Sequence, residues 1–327
     1  MDAILRGILL IGALSSVGAG YRTPNFVVTA STAEFAKQVG DAAEIYREEL
    51  AVEWTGKPLP GSWKYPCPIS VKVGDIGAGG KTTFNFQNGE VYGWRMEIQG
   101  TEQRILDSVL PHEVNHTIFA SHFRRPLPRW ADEGAASLIE HDSERNRLRD
   151  IHNRVMGTSR KIALKTLLDI KQYPPDPQEV LTLYAEGHSL ADYLIQRGGK
   201  PLYIRLMAVA HERGWETALK TLYGINNLQG LEREWDQWVL AGSPKLNIPD
   251  GSLLADSSKK KPETTIRGQS PDSSANSLES TKVAMSDKMD SDDDQSDSTS
   301  PRRSRSGLTR PVLTISQTTG AAKFSPD

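Results

Sequence analysis

The apolar residues of this chain are spaced mostly as in strands before about residue 100 and as in helices after it, and that division limits the folds open to it. Before it, residues 69–73 (Ile-Ser-Val-Lys-Val) alternate as a half-buried strand does, and 26–29 (Phe-Val-Val-Thr) reads as a shorter one. Residues 82–86 and 91–98 flank Asn88-Gly89, a pair that readily takes the positive backbone angles of a tight hairpin turn. Between the first two strands, Phe35, Val39, Ala42, Tyr46 and Leu50 recur at three- and four-residue spacing, which predicts a helix capped by Ser31 or Thr32 and ending near Thr55-Gly56. After residue 100 the spacing is helical throughout, over 101–120 and then about 131–156, 161–171, 180–197, 201–212 and 228–240. Gly198-Gly199 supplies a stop, and Leu228, Leu231, Trp235 and Trp238 give the last helix an apolar face. Strands first and helices after predict an α+β fold, with a small, mostly antiparallel N-terminal sheet packed on a helical region.

The folded part does not take up the whole chain of 327 residues. Residues 1–19 have a short charged start, an apolar middle and small residues ending at Val17-Gly-Ala19, the layout of a secretory signal peptide, so the protein is expected to be exported, secreted or periplasmic. From 249 to 327 the composition turns to Ser, Asp, Lys, Thr and Gln, with the runs Lys259-Lys-Lys261, Asp292-Asp-Asp294 and Arg302-Arg-Ser-Arg305, and this segment is expected to be a disordered tail. One domain over 20–248 is left. Later in the chain nothing approaches the 18 consecutive apolar residues of a membrane span. A net charge of -2, with acidic and basic residues nearly balanced, gives no general basic field and argues against a nucleic-acid partner. Cys67, the single cysteine, cannot make an internal disulfide and is assigned no chemistry.

Chemistry enters at residues 112–116, His-Glu-Val-Asn-His. Positions four apart on a helix share a face, so His112 and His116 can both reach one metal ion, and neutral imidazole suits zinc. Glu113 then projects beside the ion, where it can take a proton from the attacking water. Pro111 lies immediately before the motif and removes a backbone donor, so the helix is expected to kink or restart there.

A catalytic zinc takes three protein ligands and keeps one position open, and two residues compete for the third place. His122 has the spacing of a longer histidine pattern, but that pattern needs glycine at 119, where the chain has Phe119. Glu133, in Trp130-Ala-Asp-Glu133-Gly134, is the other; the loop and prolines before it let the chain reverse into a second helix facing the first. His-Glu-Val-Asn-His with Trp130-x-x-Glu133-Gly134 resembles the gluzincin peptidases, and within them the peptidase-MA-like proteins of bacterial exported proteomes, over roughly residues 26–240.

The resemblance implies an active-site pair of helices of the zincin type, with His112, His116 and Glu133 as zinc ligands and Glu113 as general base and acid. Peptide or protein would be the substrate, lying along residues 95–98 as an edge strand. Gly134 would let two helices approach closely, and Asp132 would either orient a ligand histidine or face solvent. An oxyanion donor is expected from a later helix, and Tyr184 and His188, four residues apart, are candidates. Two other readings stay open: a peptidase-fold binding module without turnover, and a domain that merely anchors an active tail.

Overall fold

The computed structural model of the chain describes residues 18–246. The expected tail lies outside the described residues, as does the expected leader apart from Gly18 and Ala19. The class is α+β: one five-stranded sheet, then helices.

Strands β1 (Ala19–Arg22), β2 (Phe26–Ala30), β3 (Cys67–Val73), β4 (Gly79–Gln87) and β5 (Glu90–Gly100) lie in the order β1-β2-β3-β5-β4. The sheet is mixed, which corrects the expectation of a mostly antiparallel one: β1/β2 and β4/β5 are antiparallel, β2/β3 and β3/β5 parallel. Two connections account for this. Helix α1 (Ala33–Thr55) carries the chain from β2 back to the start of β3, a crossover that makes the two strands parallel. The β4–β5 hairpin turns at Asn88 and Gly89, both at positive φ, and inserts β5 rather than β4 beside β3. Residues 95–98 therefore lie in an interior strand, with Met96 paired to Ile69 on one side and Thr82 on the other. The edge is β4. Strand β1 was not anticipated, because its Ala-Gly-Tyr-Arg sequence carries little strand signal.

Helix α1 starts where the sequence placed it, with Thr32 Oγ1 accepting from Phe35 N at 3.1 Å, and stops at Gly56, which has φ 77°. Its buried face runs through Phe35, Val39, Ala43, Leu50 and Trp54, and the Trp54 ring meets Phe119 edge to face at 5.0 Å. Phe119 belongs to α3 (Leu110–Phe123), which follows the short α2 (Glu102–Arg104) and one wide turn, Ile105–Val109, closed by Leu110 N to Ile105 O. That π-type turn is how the helix admits Pro111, which has no N–H and whose ring would press on the carbonyl four residues back.

Past α3, the helix expected over 131–156 is two, α4 (Arg129–Ser137) and α5 (Asp142–Val155), separated by a turn at Leu138–His141. Short α6 (Leu164–Asp169) leads to α7 (Pro177–Arg213), which joins two expected helices across a kink at Gly199 (φ 76°, ψ 166°). Helices α8 (Trp215–Tyr223) and α9 (Leu228–Leu240) close the fold, with Trp235 wholly buried. Among the described residues no helix is long and apolar enough to cross a membrane.

Candidate metal centre

Helices α3 and α4 bring His112, His116 and Glu133 together, and all three are buried. One ligand atom from each lies within 4.8 Å of the others, so the group could hold a metal ion. His112 Nε2 is 3.5 Å and His116 Nε2 3.7 Å from Glu133 Oε2, and none of these three atoms has a hydrogen-bond partner. Buried polar atoms left unpaired cost about 1–3 kcal/mol each, so three that converge on one point describe a place built for something else.

The outer nitrogens support this. His112 Nδ1 is 2.6 Å from Glu140 Oε1, and His116 Nδ1 is 3.0 Å from Asp132 Oδ1. A carboxylate behind each ring favours a proton on Nδ1, the arrangement in which Nε2 on the inner side can bind an ion. Of the two readings of Asp132, the one that orients a histidine fits its position. Burial disfavours charge on His112, but Glu133 and Glu140 outweigh it and raise its pKa well above the usual imidazole value. Burial likewise opposes charge on Glu133, yet the two histidines and the Tyr173 hydroxyl hold its carboxyl well below the ordinary range.

Glu113 points from the same helix towards β4. Its Oε2 accepts from Thr82 Oγ1 at 2.6 Å, while Oε1 is unpartnered. The carboxylate lies so close to the strand that a Cβ on Gly80 would stand 2.6 Å from Glu113 Cγ and 2.8 Å from Cδ. Burial raises its pKa above the usual carboxylate value, against the pull of both histidines and Thr82. A carboxylate so raised is a better proton acceptor than an exposed one.

A cavity of about 230 Å³ opens beside His112. Its walls are largely apolar, with Val109, Leu148 and Val180 among them, and Glu140, Tyr173 and Tyr184 complete the side nearest the metal group. Tyr184 thus lines this cavity. Burial, with Glu133 next, raises its phenol far above the ordinary value, so the hydroxyl keeps its proton. His188, one turn further along α7, is absent from the cavity walls; the charged groups acting on it are Arg149 and Arg145 of α5. His122 stands at the exposed end of α3 against the Phe123 ring and is not among the three converging residues.

Sequence reasoning missed Glu140, Thr82 and Tyr173. Glu140 lies in the turn after α4, which ends at Ser137, so helical spacing from Glu133 does not mark it. Thr82 sits in a strand and Tyr173 in an irregular segment far along the chain, and no local pattern points from either to the motif.

Away from the centre, α7 buries a second set of titratable groups. Burial pushes Glu186 up to about 8 from an ordinary 4.5 although Ile162 N donates to it, and pushes His152 down to about 4 and His188 down to about 3 from 6.5. Between pH 4.5 and 8 the folded state keeps a proton on Glu186 that the unfolded chain releases, so its contribution to stability is full below 4.5 and lost as pH rises through 8. The histidines act oppositely: their neutral burial is unopposed above pH 6.5 and costs stability as pH falls below it. Glu186→Gln removes the first effect alone. Urea unfolding should show wild type losing stability relative to this variant by up to about 1.4 kcal/mol per pH unit between pH 5 and 8; parallel curves would contradict the assignment.

No protein-family model matches the chain, and no curated protein matches it either.

Proposed function

We propose that the chain is an exported zinc metallopeptidase of the gluzincin type, holding zinc on His112, His116 and Glu133. The observation that carries this reading is the convergence of three unpartnered buried ligand atoms, with Glu113 one residue after the first histidine. Two imidazoles favour zinc over hard cations such as magnesium or calcium. Bound there, zinc would supply Lewis-acid polarisation of water and of the scissile carbonyl.

The remaining work falls to side chains of the chain itself. Glu113 takes the proton of the attacking water and later hands it to the leaving amine, so no covalent intermediate is needed. Glu140 and Asp132 hold the two imidazoles in the ligating tautomer. Tyr184, protonated and walling the cavity, is the better placed of the two candidates to donate to the oxyanion, since His188 is absent from the cavity walls. The peptide would lie along the free edge of β4, near Gly79–Thr82, rather than along β5. Export rests on residues 1–19 alone.

Thr82 fixes the direction of the Glu113 carboxylate, so Thr82→Val should lower kcat about tenfold with KM little changed, the loss of part of a charge-assisted bond worth about 1.5–3 kcal/mol. An unaltered kcat would remove Thr82 from the mechanism. The broader test is hydrolysis of an unfolded protein such as casein by the zinc-loaded full chain. Cleavage that stops with a chelator and returns with zinc supports the peptidase reading; zinc binding without cleavage across varied substrates would favour a binding module instead.

A further inference from the structure

Glu133 is held from both ends of its carboxylate. Oε2 faces the two histidine Nε2 atoms, while Oε1 accepts a hydrogen bond from the Tyr173 hydroxyl. Tyr173 comes from the segment between α6 and α7, and its position is tightly fixed. Its ring lies parallel to that of Tyr184, 6° apart in plane and 6.3 Å between centroids, and the Arg129 guanidinium sits 4.3 Å from its centroid. Arg129 is buried and also ties down the chain around Tyr173: its N donates to Ile170 O at 2.9 Å, its Nε to Lys171 O at 3.2 Å and its Nη1 to the Tyr173 hydroxyl at 3.4 Å. Arg129 and Glu133 are one turn apart on α4, so a single helix face grips this segment twice.

A carboxylate can bind a metal through one oxygen or through both. With Oε1 engaged by a hydroxyl, only Oε2 is free to face the histidines, and a three-ligand site then keeps its fourth position open. We propose that Tyr173, steadied by Arg129, is a positioning residue that restricts Glu133 to single-oxygen metal binding and so preserves the open position. The inference rests on the metal-site reading above. It gives the segment carrying Tyr173 a second consequence, because the same ring walls the cavity beside His112.

The test is cobalt substitution of the full chain, wild type beside Tyr173→Phe, a change that removes the hydroxyl and leaves the ring on its neighbours. Cobalt(II) in a four-coordinate site absorbs strongly in the visible, and a fifth ligand weakens that absorption. Wild type should give the strong spectrum. The variant should give a weaker one, bind the metal about 10- to 100-fold less tightly, and lose kcat with KM nearly unchanged. An identical spectrum and affinity in a variant with native near-ultraviolet circular dichroism would overturn the proposal. Failure of wild type to take up cobalt would instead overturn the metal-site reading itself. Should the variant not fold, X-ray absorption of the zinc-loaded wild type decides: a one-oxygen carboxylate supports the proposal, and a two-oxygen carboxylate overturns it.

Discussion

Glu113→Gln should abolish peptide hydrolysis while leaving metal binding intact. The side chain keeps its size, and its amide oxygen can still accept from Thr82 Oγ1, so the packing against Gly80 is preserved. What it loses is the ability to take a proton. General-base catalysis contributes about 10²- to 10⁴-fold, and burial has raised the Glu113 pKa towards the range where such a base works best. A fall in kcat of that size with unchanged zinc content is expected, read from initial rates on an unfolded protein substrate and from metal analysis of the purified variant. Activity within a few-fold of wild type would exclude Glu113 as the base.

Gly134→Ala separates two arguments that point in opposite directions. Within a helix, Ala is favoured over Gly by about 1 kcal/mol, so local propensity alone predicts a more stable protein. Packing predicts the reverse, because a Cβ at 134 would be driven into the Gly187 carbonyl group, with its carbon 2.6 Å away. Neighbouring atoms leave no way out: at Gly187 a Cβ would in turn stand 2.8 Å from the Trp130 carbonyl oxygen. Helices α4 and α7 would have to move apart, and α4 carries Glu133 while α7 carries Tyr184. A net loss of about 3 kcal/mol is expected, of the size seen when a packed core is overfilled, lowering Tm by about 6–12 °C in a domain of this length. Calorimetry of the two proteins reads it directly, and a raised Tm in the variant would contradict the close approach of the two helices.

Much of this centre was legible because it is local. His112, Glu113 and His116 lie within five residues on one helix, and the fixed geometry of that helix turns spacing into direction. Glu133 could be read from the tryptophan and glycine around it, and Gly134 proves to be where α4 meets α7. The turn at Asn88-Gly89, the Thr32 cap and the Gly56 stop were equally plain, since each depends on a few residues with narrow backbone preferences. Strand order was not legible. Alternation shows that 91–98 is a strand but not which neighbour it takes, and the insertion of β5 beside β3 moved the free edge to β4. Thr82 and Tyr173 reach the centre only through tertiary packing, from residues 31 and 40 positions away from their partners. The tyrosine–histidine spacing of 184 and 188 was read as one face, yet of the two only Tyr184 lines the cavity beside His112.

The central claim is a metal ion on two histidines and a glutamate, and equilibrium dialysis of the full chain against zinc tests it most directly, with wild type beside His116→Ala and Glu133→Ala. One zinc per wild-type chain and a loss of tight binding in both variants is the expected result. Wild type that retains no zinc, or variants that retain it as tightly as wild type, would contradict the assignment of His112, His116 and Glu133 as the metal centre.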